Sequence, residues 1–129
     1  ALIEAALDYA LEQSLAESSL GSSLTSLDQF ASSLASLIDL DPDLQAFQFE
    51  LVLESRRNPE LLPYAERLYA GYREATRQAL GSLGLSGETL SALVFAALDG
   101  LAFQQVVFGT SNQTSQAVRE LRHLLANST

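Results

Sequence analysis

Cysteine, methionine, tryptophan and lysine are all missing from this sequence, and histidine occurs once. Without cysteine there is no disulfide framework, no thiolate nucleophile and no Cys-ligated zinc. One histidine cannot supply a His-pair metal site, and Glu-x-x-His pairs of the di-iron kind are missing too. No metal and no cofactor are therefore expected. Sixteen acids against seven arginines give a net charge of -9. Such a chain repels a phosphate backbone, so it is not expected to bind nucleic acid by itself. No phosphate-cradling glycine pattern occurs. Gly84-Leu85-Ser86-Gly87 has the wrong spacing for a serine nucleophile elbow. His123 sits near the end of the last helical segment beside Arg122, where a surface or interface role is expected rather than a catalytic base. No catalytic residue is assigned and an enzyme is not expected.

What is present is a largely apolar chain of 129 residues, 47% hydrophobic and 18% charged. It is too apolar for disorder and long enough for one domain with a core of its own. The charge is segregated. Residues 1–55 carry ten acids and no base, whereas residues 56–129 carry all seven arginines and six acids. A solvated acidic face accounts for this, and a field that favours cationic ligands is the alternative. The chain begins at Ala1 inside a helical pattern, with no charged leader ahead of an apolar core. A fragment of a longer protein is the simplest expectation.

Apolar spacing of three and four predicts an all-α fold of six helices and no strand. The first covers about 2–18, with an inward stripe that includes Leu7 and Leu11. The second covers about 25–39 and, rich in serine, is expected to be the least stable. Asp41-Pro42 is a start signal, in which a capping carboxylate precedes a proline whose missing N–H costs nothing. The third helix, about 42–57, is apolar on more than one face. Asn58-Pro59-Glu60 repeats the signal for a fourth at about 60–81, where Pro63 makes an irregular or separate first turn expected. The fifth, about 88–108, is apolar all round. It is long enough to span a bilayer, but Asp99 and the paired glutamines Gln104 and Gln105 argue against a membrane. A soluble helix of this kind needs cover on two sides, and one small domain offers one core. A second copy of the chain is the simplest second cover. The last helix covers about 113–126.

Two carboxylate features stand out. Glu50 and Glu54 lie one turn apart beside Arg57, read as a solvated pair, with an anionic spot for a cationic ligand as the alternative. Asp99 interrupts the apolar helix and needs partners if buried. An arginine on the fourth helix, a tyrosine hydroxyl or a ligand group would serve, and a structural partner is preferred. The aromatic residues of helices two to five fit either a solid core or a core that opens around a small molecule.

The stretch from Leu44 to Gly109 resembles the C-terminal regulatory domain of the TetR (tetracycline-repressor) family. Two parts carry the resemblance. One is the helix ending in Arg56-Arg57-Asn58-Pro59-Glu60-Leu61, followed by a helix bearing tyrosines and arginines. The other is Leu98-Asp99-Gly100-Leu101-Ala102 within the long apolar helix. The resemblance implies one effector-binding and dimerisation domain over 1–129, with the N-terminal helix-turn-helix domain missing. It implies a cytoplasmic bacterial regulator, normally a repressor. The partners implied are a second copy, a small apolar effector, and DNA only through the missing domain. Expected ligand-binding residues are Phe30, Leu34, Phe47, Leu51, Tyr72, Phe95, Asp99 and Phe103. Expected dimer-interface residues, on the last two helices, are Ala102, Val106, Val118, Leu121 and Leu125. Gly100 would permit close helix approach there. A structural helical dimer with a solid core and no ligand is the alternative, and cavity volume separates the two.

Overall fold

The computed structural model describes residues 30–127, and these form five α-helices with no strand among them. They are α1 (Leu34–Leu40), α2 (Pro42–Glu54), α3 (Leu62–Ser82), α4 (Glu88–Phe108) and α5 (Ser111–Ala126), with a 3-10 turn at Pro59–Leu61 before α3. The helix expected at about 2–18 lies outside the described residues.

Local chemistry sets most boundaries. The Asp41 side chain accepts a hydrogen bond from the Leu44 N–H at 3.1 Å, and Pro42 opens α2. That satisfies one of the donors a helix start leaves orphaned. At the other end, α2 stops short of the expected 57. Ser55 turns its hydroxyl back to the Val52 carbonyl at 2.6 Å, a local bond that competes with continued helix. Pro59 and Pro63 break the next segment into the 3-10 turn and α3, as loss of two backbone donors close together requires. Helix α3 ends in a Schellman motif. Gly84 takes φ +80, its N–H donates to the Gly81 carbonyl at 3.1 Å, and the Leu85 N–H reaches the Leu80 carbonyl at 2.9 Å. Leu85 and Leu80 are both buried in the core, the apolar contact this motif favours. Gly109, at φ +70, ends α4 by donating to the Gln105 carbonyl at 2.8 Å.

The start of α1 differs from expectation. Residues 30–33 form a turn, with Ala31 at φ +54, and the helix begins only at Leu34. The turn drops Phe30 into the interior, where it is fully buried.

Helix α4 is central and packs against α1, α2, α3 and α5. Its inner residues Val94 and Leu98 join Phe30, Leu80, Leu85, Val118 and Leu125 in one core. Gln105, 2% exposed, ties α4 to α1 by donating to the Ala35 carbonyl at 2.9 Å and to the Asp39 carboxylate at 2.7 Å. Buried hydroxyls are satisfied within their own helices. Thr76 donates to the Tyr72 carbonyl, Ser91 to that of Gly87 and Thr114 to that of Thr110. Among the described residues one buried side-chain polar atom, Gln105 Oε1, has no hydrogen-bond partner.

Candidate functional site

A half-open cavity of about 110 Å³ lies between α1, α2, α3 and α4. One water needs roughly 10–15 Å³ of such space, so the cavity exceeds a few waters. Its floor and walls are Leu34, Leu37 and Ile38 from α1, Gln45, Gln48 and Phe49 from α2, Leu68, Tyr69, Tyr72 and Thr76 from α3, and Phe95, Leu98, Asp99 and Ala102 from α4. The lining is mainly apolar and aromatic with a few polar groups, the composition of a small-molecule site.

The aromatic residues are ordered against one another. Phe95 meets the Tyr69 ring edge-to-face at 5.4 Å and lies nearly parallel to Tyr72 at 6.3 Å. Phe49 is braced from behind by Phe103, edge-to-face at 5.2 Å. Both arrangements suit the ring quadrupoles. Tyr69 and Tyr72 are three residues apart on α3, so one helical face delivers both hydroxyls. The Tyr72 hydroxyl donates to Gln48 Oε1 at 2.8 Å, and Gln48 is buried. This bond pins α2 to α3 across the cavity.

The Tyr69 hydroxyl donates to Asp99 at 2.9 Å to Oδ2 and 3.2 Å to Oδ1. Of the partners considered for Asp99, a tyrosine hydroxyl is the one found. Burial pushes the Asp99 pKa above the ordinary carboxylate range, and the bond from Tyr69 offsets this only in part. The Tyr69 pKa is raised as well, by burial first and then by the neighbouring Asp99 charge, with Arg73 acting in the opposite sense. Both shifts have the same origin, a negative charge held away from water. At neutral pH Tyr69 is a committed donor.

Of the eight expected ligand-binding residues, Leu34, Tyr72, Phe95 and Asp99 line the cavity. The other four do not. Phe30 belongs to the core, because the turn before α1 directs it inward. Phe47 is 41% exposed on the outer side of α2, and Phe49, two residues on, takes the inner place. Leu51 is half-buried away from the lining, and Phe103 stands behind Phe49. Tyr69, Gln48 and Leu68 were missed. The i, i+3 tyrosine pair was the available signal for Tyr69. A buried glutamine in a helix leaves no such signal.

The expected interface residues are also redistributed. Ala102, Val118 and Leu125 are buried within the single chain, Ala102 in the cavity wall and the other two in the core. They cannot form an outer surface. Val106 and Leu121 are half-buried. The exposed large apolar residues of the last two helices are instead Leu93 (67%), Phe103 (43%), Val107 (54%), Phe108 (71%) and Leu124 (58%). Gly100 lies on the same flank of α4 as Leu93, Ala97 and Val107 by helical spacing. A Cβ placed on it would meet nothing within 4 Å. Its missing side chain therefore permits no close approach inside this chain.

Helix α4 is the one helix among the described residues long and apolar enough to cross a membrane. No group of three or more potential metal-ligating side chains occurs among them. No curated protein and no solved structure matches the chain. The family described as "Tetracyclin repressor-like, C-terminal domain" matches residues 25–127. That span covers every described helix, the cavity and the exposed flank of α4. Domains of this family are parts of transcription regulators, typically dimeric and open to small-molecule effectors. The chain belongs to the tetracycline-repressor-like C-terminal domain family.

Proposed function

We propose that these 129 residues are the effector-binding and dimerisation domain of a TetR-like transcriptional repressor, acting in the cytoplasm and without catalytic activity. DNA is contacted through a helix-turn-helix domain that is not part of this sequence. The observation that carries the reading is the aromatic-lined cavity between α1, α2, α3 and α4. Its lining comes from four helices. A ligand that fits only one arrangement of them shifts the population toward that arrangement. A full switch from 1:99 to 99:1 needs about 5.5 kcal/mol of differential affinity. Leu34, Tyr72, Phe95 and Asp99, joined by Tyr69, Gln48 and Phe49, make the ligand contacts.

The second element is a homodimer through the outer flank of α4 and α5. Leu93, Ala97, Val107 and Phe108 from α4 and Leu121 and Leu124 from α5 form the seam. Gly100 lets the two copies of α4 approach closely. A helical dimer with a solid core is less well supported, because the cavity exceeds a few waters. Thermal unfolding in the presence of diverse small compounds tests the effector reading. A binder raises the melting temperature in proportion to the logarithm of its excess over Kd. Absence of any shift across a chemically broad panel would contradict it.

A further inference from the structure

We propose that the cavity selects a small organic cation, an amine on an apolar body of about one ring, held by the Asp99 carboxylate and the rings of Tyr69, Tyr72 and Phe95. This rests on the reading of the cavity as an effector pocket and adds the sign of charge it prefers. Asp99 is the one formally charged side chain in the lining. It is half-buried, and its hydrogen bonds among the described residues come from one neutral donor, Tyr69. A carboxylate withdrawn from water is ordinarily matched by a cation or by several donors. Here the arginines do not fill that place. Burial and the Tyr69 hydrogen bond set the proton affinity of Asp99, and Arg77 pairs with Glu74 on the exposed side of α3.

The surroundings suit a cation and penalise the alternatives. Tyr69, Tyr72 and Phe95 group three aromatic rings beside the carboxylate, and ring faces attract ammonium groups most where water is excluded. A neutral guest would leave the Asp99 charge desolvated and unmatched, and an anion would meet repulsion from it. The net charge of -9 adds a long-range field of the same preference. The cavity volume of about 110 Å³ has room for a ring-sized body.

The test is equilibrium binding of three probes that share one ring, benzylamine, benzyl alcohol and benzoate. The proteins are the 129-residue chain and its Asp99→Asn and Tyr69→Phe variants, each checked for helix content. Benzylamine should bind the wild type at least about tenfold more tightly than benzyl alcohol, a modest margin for a desolvated cation–ring site. Benzoate should bind most weakly. Asp99→Asn should weaken benzylamine to the level of the alcohol or below and, by removing a desolvated charge, bind the alcohol at least as tightly as the wild type does. Tyr69→Phe keeps the carboxylate and removes its neutral donor, so benzylamine should bind at least as well as before. Equal or tighter binding of the alcohol by the wild type overturns the charge preference and leaves the effector reading standing. Undiminished benzylamine binding by a folded Asp99→Asn variant overturns it too. Should Asp99→Asn not fold, the wild-type ratio and Tyr69→Phe decide. If no probe binds, the cation is overturned, and the effector reading falls with it only if neutral compounds also leave the melting temperature unchanged.

Discussion

The two flanks of α4 have similar composition and opposite surroundings. The inner flank, with Val94, Leu98 and Ala102, is buried against the rest of the chain. The outer flank, with Leu93, Val107 and Phe108, is 54–71% exposed. An exposed apolar stripe this long is costly to leave in water and marks an interaction surface. The difference teaches that an all-round apolar helix satisfies one flank within the chain and leaves the other bare, the flank to which the proposed dimer seam is assigned.

The sharpest way to break the comparison is to charge each flank in turn. Val94→Asp places an unpaired carboxylate in the core, and such burial costs on the order of 4 kcal/mol or more. It should abolish the cooperative helical signal in circular dichroism. Val107→Asp should leave the helical signal intact but halve the mass seen by light scattering. A folded Val94→Asp variant, or a dimeric Val107→Asp variant, would reverse the assignment of the flanks.

Gly100→Ala sharpens it further. A mid-helix glycine costs about 1 kcal/mol relative to alanine, and a Cβ here meets nothing within the chain. The substitution should therefore stabilise the Val107→Asp monomer by about that amount in urea titration. In the dimeric background the same methyl meets the neighbouring copy, so the gain should vanish or turn into a weaker dimer. An equal gain in both backgrounds would remove Gly100 from the seam.

The smallest effect concerns the cavity side of α4. Asp99 has a raised pKa in the folded chain, so the folded state holds that proton more tightly than the unfolded state. The stability this contributes is complete below the unfolded carboxylate range and is lost as pH rises through the raised folded value. Asp99→Asn is neutral at every pH and can still accept the Tyr69 hydroxyl. It should match the wild type at low pH and exceed it in urea midpoint at pH 7. An unchanged pH slope in the variant would place the effect elsewhere.

Much of the fold was legible because it is written in local chemistry. Helix α4 was expected over 88–108 and is found there, bounded by Gly87 and Gly109. Asp41-Pro42 marks the start of α2 for the same kind of reason, whereas Asn58-Pro59 opens a 3-10 turn without a side-chain cap and α3 begins only at Leu62. The site was half legible. Helix α2 is apolar on more than one face, so periodicity offered no choice between Phe47 and Phe49, and tertiary packing chose Phe49. Phe30 was misplaced because a positive φ at Ala31 redirects the chain, and alanine gives no warning of that. On α5 the apolar stripe is broad. Its inner edge, Val118 and Leu125, entered the core, and Leu124 stayed outside. Spacing along one helix orders its faces, but only the neighbouring helices decide which face is covered.

In the proposed dimer a second copy covers the outer flank of α4. Sedimentation or light scattering of the chain at micromolar concentration measures this most directly. A dimer has twice the 13.9 kDa mass of one chain, and that is the result expected. A stable species of 13.9 kDa would contradict it.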